Sequence, residues 1–402
     1  MKRGLIDWFL VTWLMVIFVS CSEKNDPAPQ TEENNLVEAT LIGSRTAAEL
    51  QILIQLSGRD IDPTHFQYDV EIYKVIYKTA YKGLEINASG LILLPKTNAP
   101  APMLSFQHGT IIQQSDAPSV QSLGSLDVIS YSAMASMGFV TVVPDMIGFG
   151  VSKDIFHPYY VAEPTSDAVI HNLLAAKFLA EEKAVTFDNR VFLAGYSQGG
   201  YATMAAHKAM EENAVEDFEL IASFPAAGGY DIKAMQEYFF GLDTYPQPYY
   251  LAYVGRSYQT YYDETDLLSD FFNEPYASKI PSLFDGVKNS GEINAELTND
   301  ITMLVSENML ANVETDAQYE YLRNAFEDNS LVDWAPALPI YLYHGDADTT
   351  VPFENSQITY EKMLSNGATP DNIKLITLHG ANHSSGIEPY IEDVIKKLQE
   401  LK

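Results

Sequence analysis

The stretch RVFLAGYSQGGYATMAAHKA, Arg190 to Ala209, decides how the rest of the chain is read. Val191 to Ala194 is a short apolar run of the kind that forms a buried parallel strand. Gly195-Tyr196-Ser197-Gln198-Gly199 follows as a G-x-S-x-G string, and an alanine-rich segment of helical character comes next. A serine therefore sits at a tight strand-to-helix junction. Such a junction is strained and holds the hydroxyl clear of the sheet's C-terminal edge. The flanking glycines let neighbouring backbone approach closely. Short glycine-serine strings also arise by chance, so the strand before and the helix after carry the weight.

The chain has 402 residues, room for one large α/β domain with an insertion or for two domains. Apolar residues make up 47%, enough for a sizeable core. The formal net charge of -30 argues against nucleic acid and other polyanions as partners, because the mean field repels them.

The first residues read as a targeting segment. Lys2 and Arg3 give a positive start, and Leu5 to Val19 is mostly apolar. Phe18-Val19-Ser20-Cys21 resembles a bacterial lipobox, in which a small residue precedes a cysteine to be lipidated. Cys21 is the single cysteine, so no intramolecular disulfide is possible. The expectation is a signal peptide over 1–20, a lipid anchor at Cys21 and a polar, flexible tether over 21–35. Ser22, rather than aspartate, after the cysteine leans towards the outer membrane. An uncleaved anchor or an ordinary secretory signal is the alternative.

Beyond the tether, Thr46 and Glu49 have capping-box spacing before a short helix that ends at Gly58. Phe66 to Tyr81 and Leu84 to Leu94 predict an antiparallel hairpin. From Met103 the pattern is strand then helix, the signature of a mostly parallel sheet. Strands are expected at Met103–Gln107, Phe139–Val143 and Leu220–Ala227, and helices at Leu126–Met137 and Asp167–Lys183. The alternation stops near Tyr230. An aromatic, acidic and helical run follows, including Phe239, Phe240, Tyr245, Tyr250 and Tyr253. The alternation resumes at Ile340. The expected division is a catalytic α/β domain over 36–229 and 336–402, with a helical cap over 230–335 inserted into it.

A serine hydroxyl needs a base within hydrogen-bond reach, and the base needs an orienting group. In an open α/β sheet such groups collect at the C-terminal ends of strands. His171 and His207 lie within expected helices, and His108 and His344 end strands directly before glycines, positions suited to bracing a turn. His383, in a small polar loop after the last strand, is preferred to His379 as base. Asp348, set deeper in its loop than Asp346, is preferred as orienting acid. The oxyanion hole is expected from the backbone N–H groups of Gln198 and Thr110. A metal set of His344, Asp346, Asp348 and His383 would leave the serine elbow unexplained, and there is no H-E-x-x-H helix.

Three stretches together resemble the α/β-hydrolase superfamily and, within it, the secretory lipase group. They are QHGT at Gln107–Thr110, PDMIGFGVSKDIFHPYY at Pro144–Tyr160 and AGYSQGG at Ala194–Gly200. HGDADTTVP at His344–Pro352 is similar to the superfamily's acid loop, and HGANH ends on His383. The resemblance implies an α/β-hydrolase fold with a lid-like cap, hydrolysis of small-molecule esters through Ser197, Asp348 and His383, and neither cofactor nor metal. Two other readings share parts of the pattern. One is a serine peptidase of the prolyl-oligopeptidase kind, although roughly 100 residues before the sheet are too few for a β-propeller. The other is an inactive envelope lipoprotein that captures glycans on an aromatic cap.

Overall fold

The computed structural model describes residues 34–402. The expected signal peptide, Cys21 and nearly all of the tether lie outside the described residues. Asn35, assigned to the tether, is already part of the folded body. Its carbonyl accepts from the Lys78 N–H at 2.8 Å, and its side chain donates to the His171 carbonyl at 2.6 Å.

Nine strands form one sheet in the order β1-β2-β3-β5-β4-β6-β7-β8-β9. They are β1 Leu36–Arg45, β2 Val70–Tyr81, β3 Leu84–Pro95, β4 Ala101–Gln107, β5 Val140–Pro144, β6 Phe187–Tyr196, β7 Glu219–Ala226, β8 Ile340–Gly345 and β9 Ile373–Leu378. The run from β5 to β9 across the sheet is parallel, and β1, β2 and β3 add an antiparallel edge.

The central strands have both faces covered. β4 and β5 are buried along their whole length. Near-continuous apolar runs there follow from helices on both sides of a parallel sheet. One face packs Val128, Tyr131 and Met134 of the helix Leu126–Ser136 and Tyr390, Val394 and Leu398 of the C-terminal helix Ile387–Leu401. The other packs the helices Ala162–Glu182 and Gln198–Glu212, whose Ala168, Ala176, Ala202 and Ala206 let them lie close to the strands.

Several boundaries differ from expectation, each for a local reason. β1 was assigned no element; it is an edge strand, half exposed, with Glu38 and Arg45 breaking its apolar pattern. β2 starts at Val70 rather than Phe66, because Asp62 caps a one-turn helix over Pro63–His65. The long helix starts at Ala162 rather than Asp167, since Pro164 falls in its first turn, where no intrahelical N–H is needed. At Thr46 half of the capping box forms: the hydroxyl accepts from the Glu49 N–H, while the Glu49 carboxylate pairs with Arg45.

Between β7 and β8 the chain runs through short helices, the longest of them Tyr249–Tyr261. That helix is fastened to the loop after β5. Tyr253 stacks on Tyr159 with ring centroids 4.3 Å apart and planes at 8°, and Phe284 stacks on the other side of Tyr253 at 4.7 Å. The Ser257 hydroxyl donates to the Tyr159 carbonyl and the Tyr258 hydroxyl to the Tyr160 carbonyl, each at 3.1 Å.

Candidate active site

Ser197 stands between β6 and the helix Gln198–Glu212 with φ 59° and ψ −123°, backbone angles that a side chain rarely adopts. The junction holds because its neighbours lack side chains. A Cβ on Gly195 would collide with the Gly199 carbonyl, and one on Gly199 would collide with the Gln107 carbonyl at the end of β4. From the opposite side the Tyr390 hydroxyl accepts from the Gly195 N–H at 2.8 Å and donates to the Phe224 carbonyl at 2.7 Å. That phenol ties the C-terminal helix to both β6 and β7.

The serine, the histidine of the last loop and an aspartate of the loop after β8 meet here. Ser197 Oγ lies 2.9 Å from His383 Nε2, and His383 Nδ1 lies 2.6 Å from Asp348 Oδ2. An ionised carboxylate can only accept, so Nδ1 carries the proton and Nε2 accepts from the serine hydroxyl. Asp348 Oδ1 accepts from the backbone N–H groups of Thr350 and Val351 at 2.9 and 3.1 Å. His344 adds its Nε2, 3.3 Å from Asp348 Oδ2, while its Nδ1 meets the Ser356 hydroxyl at 2.7 Å. Burial alone would push the Asp348 carboxyl up. Hydrogen bonds from His344 and His383, and the nearness of both rings, outweigh burial and hold it down at about 2. The Tyr196 hydroxyl donates to the His383 carbonyl at 2.9 Å, fixing the histidine loop from the residue next to the serine.

The neighbouring acid and histidine form a separate pair. Asp346 Oδ2 lies 2.9 Å from His379 Nδ1, and the His379 side chain is 85% exposed. Those two face solvent and share no contact with Ser197. Asp346 thus pairs with His379, apart from the cluster of His344, Asp348 and His383.

The two expected oxyanion donors flank the serine. Gln198 begins the helix, and Gly109, beside Thr110, lies against the Tyr196 carbonyl and the Ser197 Cβ. Among the described residues neither the Gln198 nor the Thr110 backbone N–H donates to another residue. The Thr110 hydroxyl is committed to the Tyr159 hydroxyl at 2.9 Å.

His157, in the loop after β5, is a further neighbour of the site. It is buried, its Nδ1 donates to the Ile147 carbonyl at 2.6 Å, and its Nε2 accepts from the Gln198 side-chain amide at 2.5 Å. Burial lowers its pKa to about 4, so the ring is neutral at neutral pH. Asp145, in the same motif, is fully buried and accepts from the Ser89 hydroxyl at 2.5 Å and from the Ser119 N–H at 2.7 Å. These bonds brace the loop that presents His157. A polar residue in a glycine-rich loop gives no periodic signal, so only a close look at the D-x-x-G-x-G-x-S spacing could have marked either residue.

Ser197 opens on a pocket beneath the helices that follow β7. Its walls are mostly apolar: Met235, Phe239, Phe240, Leu251, Val254, Phe271 and Phe326, with Tyr159, Tyr160, Tyr245 and Tyr250 among the polar-tipped members. Of the aromatic run seen in the sequence, Phe239, Phe240, Tyr245 and Tyr250 reach this pocket. Tyr253 instead stacks with Tyr159 and Phe284.

Comparison with known proteins follows the same lines. Residues 113–239 match the secretory lipase family. A comparison of the sequence with curated proteins finds no match. Among solved structures, the chain is similar to a candidate hydrolase from Legionella pneumophila, with 26% identity over 91% of this chain and 98% of that one and a TM-score of 0.81. It is similar to the rice cell wall degrading esterase LipA from Xanthomonas oryzae, with 22% identity over 92% and 99% of the two chains and a TM-score of 0.81. It is also similar to Candida antarctica lipase A, with 15% identity over 87% and 77% and a TM-score of 0.64. The mostly parallel sheet flanked by helices is the α/β-hydrolase fold. Fold and family match together support a serine ester hydrolase, and residues 113–239 resemble the secretory lipase family.

Proposed function

We propose that the protein hydrolyses carboxylic esters through an acyl-enzyme on Ser197, with His383 as base and Asp348 as orienting acid. The observation that carries this reading is the unbroken relay of 2.9 Å from Ser197 Oγ to His383 Nε2 and 2.6 Å from His383 Nδ1 to Asp348 Oδ2. Ser197 Oγ attacks the ester carbonyl carbon as its proton passes to His383 Nε2. The oxygen turns into an oxyanion facing the backbone N–H groups of Gln198 and Thr110. Each such donor is worth about 100- to 1,000-fold in rate. The tetrahedral adduct collapses, the C–O bond to the alcohol breaks, and the departing oxygen takes the proton from His383. Water then attacks the acyl group by the same path and restores the serine. Asp348, with its pKa held at about 2, stays ionised throughout and stabilises the imidazolium.

The helices between β7 and β8 act as a cap, and the pocket they form with the loop after β5 takes the acyl group. The apolar lining of that pocket supports an aliphatic or aryl acyl chain. The neighbouring lipase and esterases favour esters over amides. An inactive glycan-binding role is disfavoured, because it gives no reason for a serine strained onto a relay. The secretory family match and the N-terminal residues support a secreted or envelope protein, and we place its anchor at Cys21. Among the described residues no helix is long and apolar enough to cross a membrane.

The test is a fluorophosphonate probe and a panel of p-nitrophenyl esters and anilides. Labelling at Ser197 and ester turnover that disappear together in Ser197→Ala are expected. Turnover undiminished in a folded Ser197→Ala protein ends the proposal. For the anchor, Cys21→Ala should release the protein from membranes, and retention there would count against lipidation.

A further inference from the structure

His344 lies at the end of β8 and is fully buried. Its Nε2 faces two acceptors, the Val351 carbonyl at 3.0 Å and Asp348 Oδ2 at 3.3 Å, so that nitrogen carries the ring proton. Its Nδ1 then accepts from the hydroxyl of Ser356, on the helix Phe353–Ser365, at 2.7 Å. The shorter bond from Nε2 goes to the carbonyl, and the positive end of the same N–H lies beside Oδ2. Val351 in turn gives its own N–H to Asp348 Oδ1 at 3.1 Å. One imidazole therefore acts on both carboxylate oxygens, on Oδ2 directly and on Oδ1 through Val351. Oδ2 is also the oxygen that His383 Nδ1 reaches at 2.6 Å.

We infer that His344 is a positioning residue for the reaction, which acts through Asp348 to extend ester hydrolysis to lower pH. The inference rests on the reading of Ser197, Asp348 and His383 as the reacting relay. When Ser197 gives up its proton, His383 becomes an imidazolium held by Oδ2. A carboxylate oxygen that already faces a second N–H carries less uncompensated charge and pulls less on that imidazolium. Without His344 the pull strengthens, the ring keeps its proton to a higher pH, and at acid pH fewer molecules hold the free base that Ser197 needs. Other groups around the carboxylate do not titrate against it in this range. Tyr160, Tyr196, Tyr238, Tyr245 and Tyr250 feel the Asp348 charge, but burial raises each of them and they stay neutral phenols. Glu354, on the helix that bears Ser356, is exposed, and Asp346 is paired with His379.

The experiment follows kcat/KM for a p-nitrophenyl ester against pH in wild type, His344→Asn and His344→Gln. The asparagine amide ends near the place of Nδ1, where it can serve Ser356 but reaches neither Val351 nor Asp348; the glutamine amide extends to the place of Nε2. The acid limb should move up by at least about 0.5 pH unit in His344→Asn and lie within about 0.2 unit of wild type in His344→Gln. A brace for the turn alone would change stability in both variants and leave the limb in place. An unmoved limb in folded His344→Asn, or equal shifts in both variants, overturns the inference and leaves ester hydrolysis standing. Ring nitrogen shifts of histidine-labelled wild type give a check that needs no variant to fold. At about pH 8 the His344 proton should sit on Nε2, and a proton on Nδ1 instead would turn a lone pair towards Oδ2 and overturn the inference. No turnover of any ester by wild type at any pH overturns the reading of Ser197 together with the inference that rests on it.

Discussion

The side-chain amide of Gln198 donates to Nε2 of His157 across 2.5 Å, joining the residue after the nucleophile to a loop 41 positions upstream. The His157 Nδ1–H is spent on the Ile147 carbonyl, so Nε2 is free to accept only while the ring is neutral. Gln198 also supplies a proposed oxyanion N–H from its backbone. A side chain pinned in this way limits how far that N–H can wander. Changing His157 to Phe keeps a ring in the aromatic cluster but removes the acceptor. We expect kcat to drop about 10-fold with KM within about 2-fold, the signature of an interaction felt mainly in the transition state. A kcat equal to wild type would show that Gln198 needs no such hold.

The same imidazole predicts an acid-sensitive fold. Its pKa is lowered from 6.5 to about 4 by burial, so the unfolded chain binds this proton at a pH where the folded chain does not. Stability from this group is fully present above pH 6.5 and is lost as pH falls towards 4. The loss amounts to about 3 kcal/mol by linkage. Urea unfolding of wild type and His157→Gln at pH 7 and pH 4 should differ by that much in their pH dependence. Parallel losses in the two proteins would assign the acid sensitivity elsewhere.

Two aspartates two positions apart should behave differently. Asp348→Asn removes the charge that fixes the His383 tautomer, and a fall on the order of 10,000-fold in kcat is expected. Asp346→Asn weakens the exposed pair with His379 and keeps an amide oxygen to accept from the Gly380 N–H, so activity should stay within about 2-fold. Comparable losses from both substitutions would mean that the acid has been misassigned.

Gly199→Ala tests the elbow. The added methyl would run into the Gln107 carbonyl, which belongs to a central strand and cannot easily yield. Destabilisation of at least about 3 kcal/mol is expected, visible as a lower midpoint in thermal or urea unfolding. A variant as stable as wild type would show that the junction has slack.

The parts of the fold that could be read from the sequence are those where one physical requirement dominates. β6, its helix and the serine between them announce themselves because burial demands an apolar run and close approach demands glycine. Asp348 and His383 could be singled out because strand ends in a parallel sheet converge on one rim. β1 escaped because an edge strand with one face in water mixes Glu38 and Arg45 into its apolar pattern. His157, Tyr196 and Tyr390 escaped for another reason: each acts through a partner far away in the chain, and periodicity records nothing of such pairings. The helical segment after β7 was recognisable by the loss of alternation. Which of its rings face the pocket depends on packing between short helices and could not be read off residue by residue.

The stack of Tyr159, Tyr253 and Phe284 has a bearing on how a substrate gets in. Two further hydroxyl bonds, from Ser257 and Tyr258, rivet the same helix to the strand-end loop that bears Tyr159 and Tyr160. A roof nailed down along one beam does not lift as a whole. Any doorway to Ser197 must then be made by smaller panels swinging beside that beam, and the ester's passage is governed by how readily those panels give way.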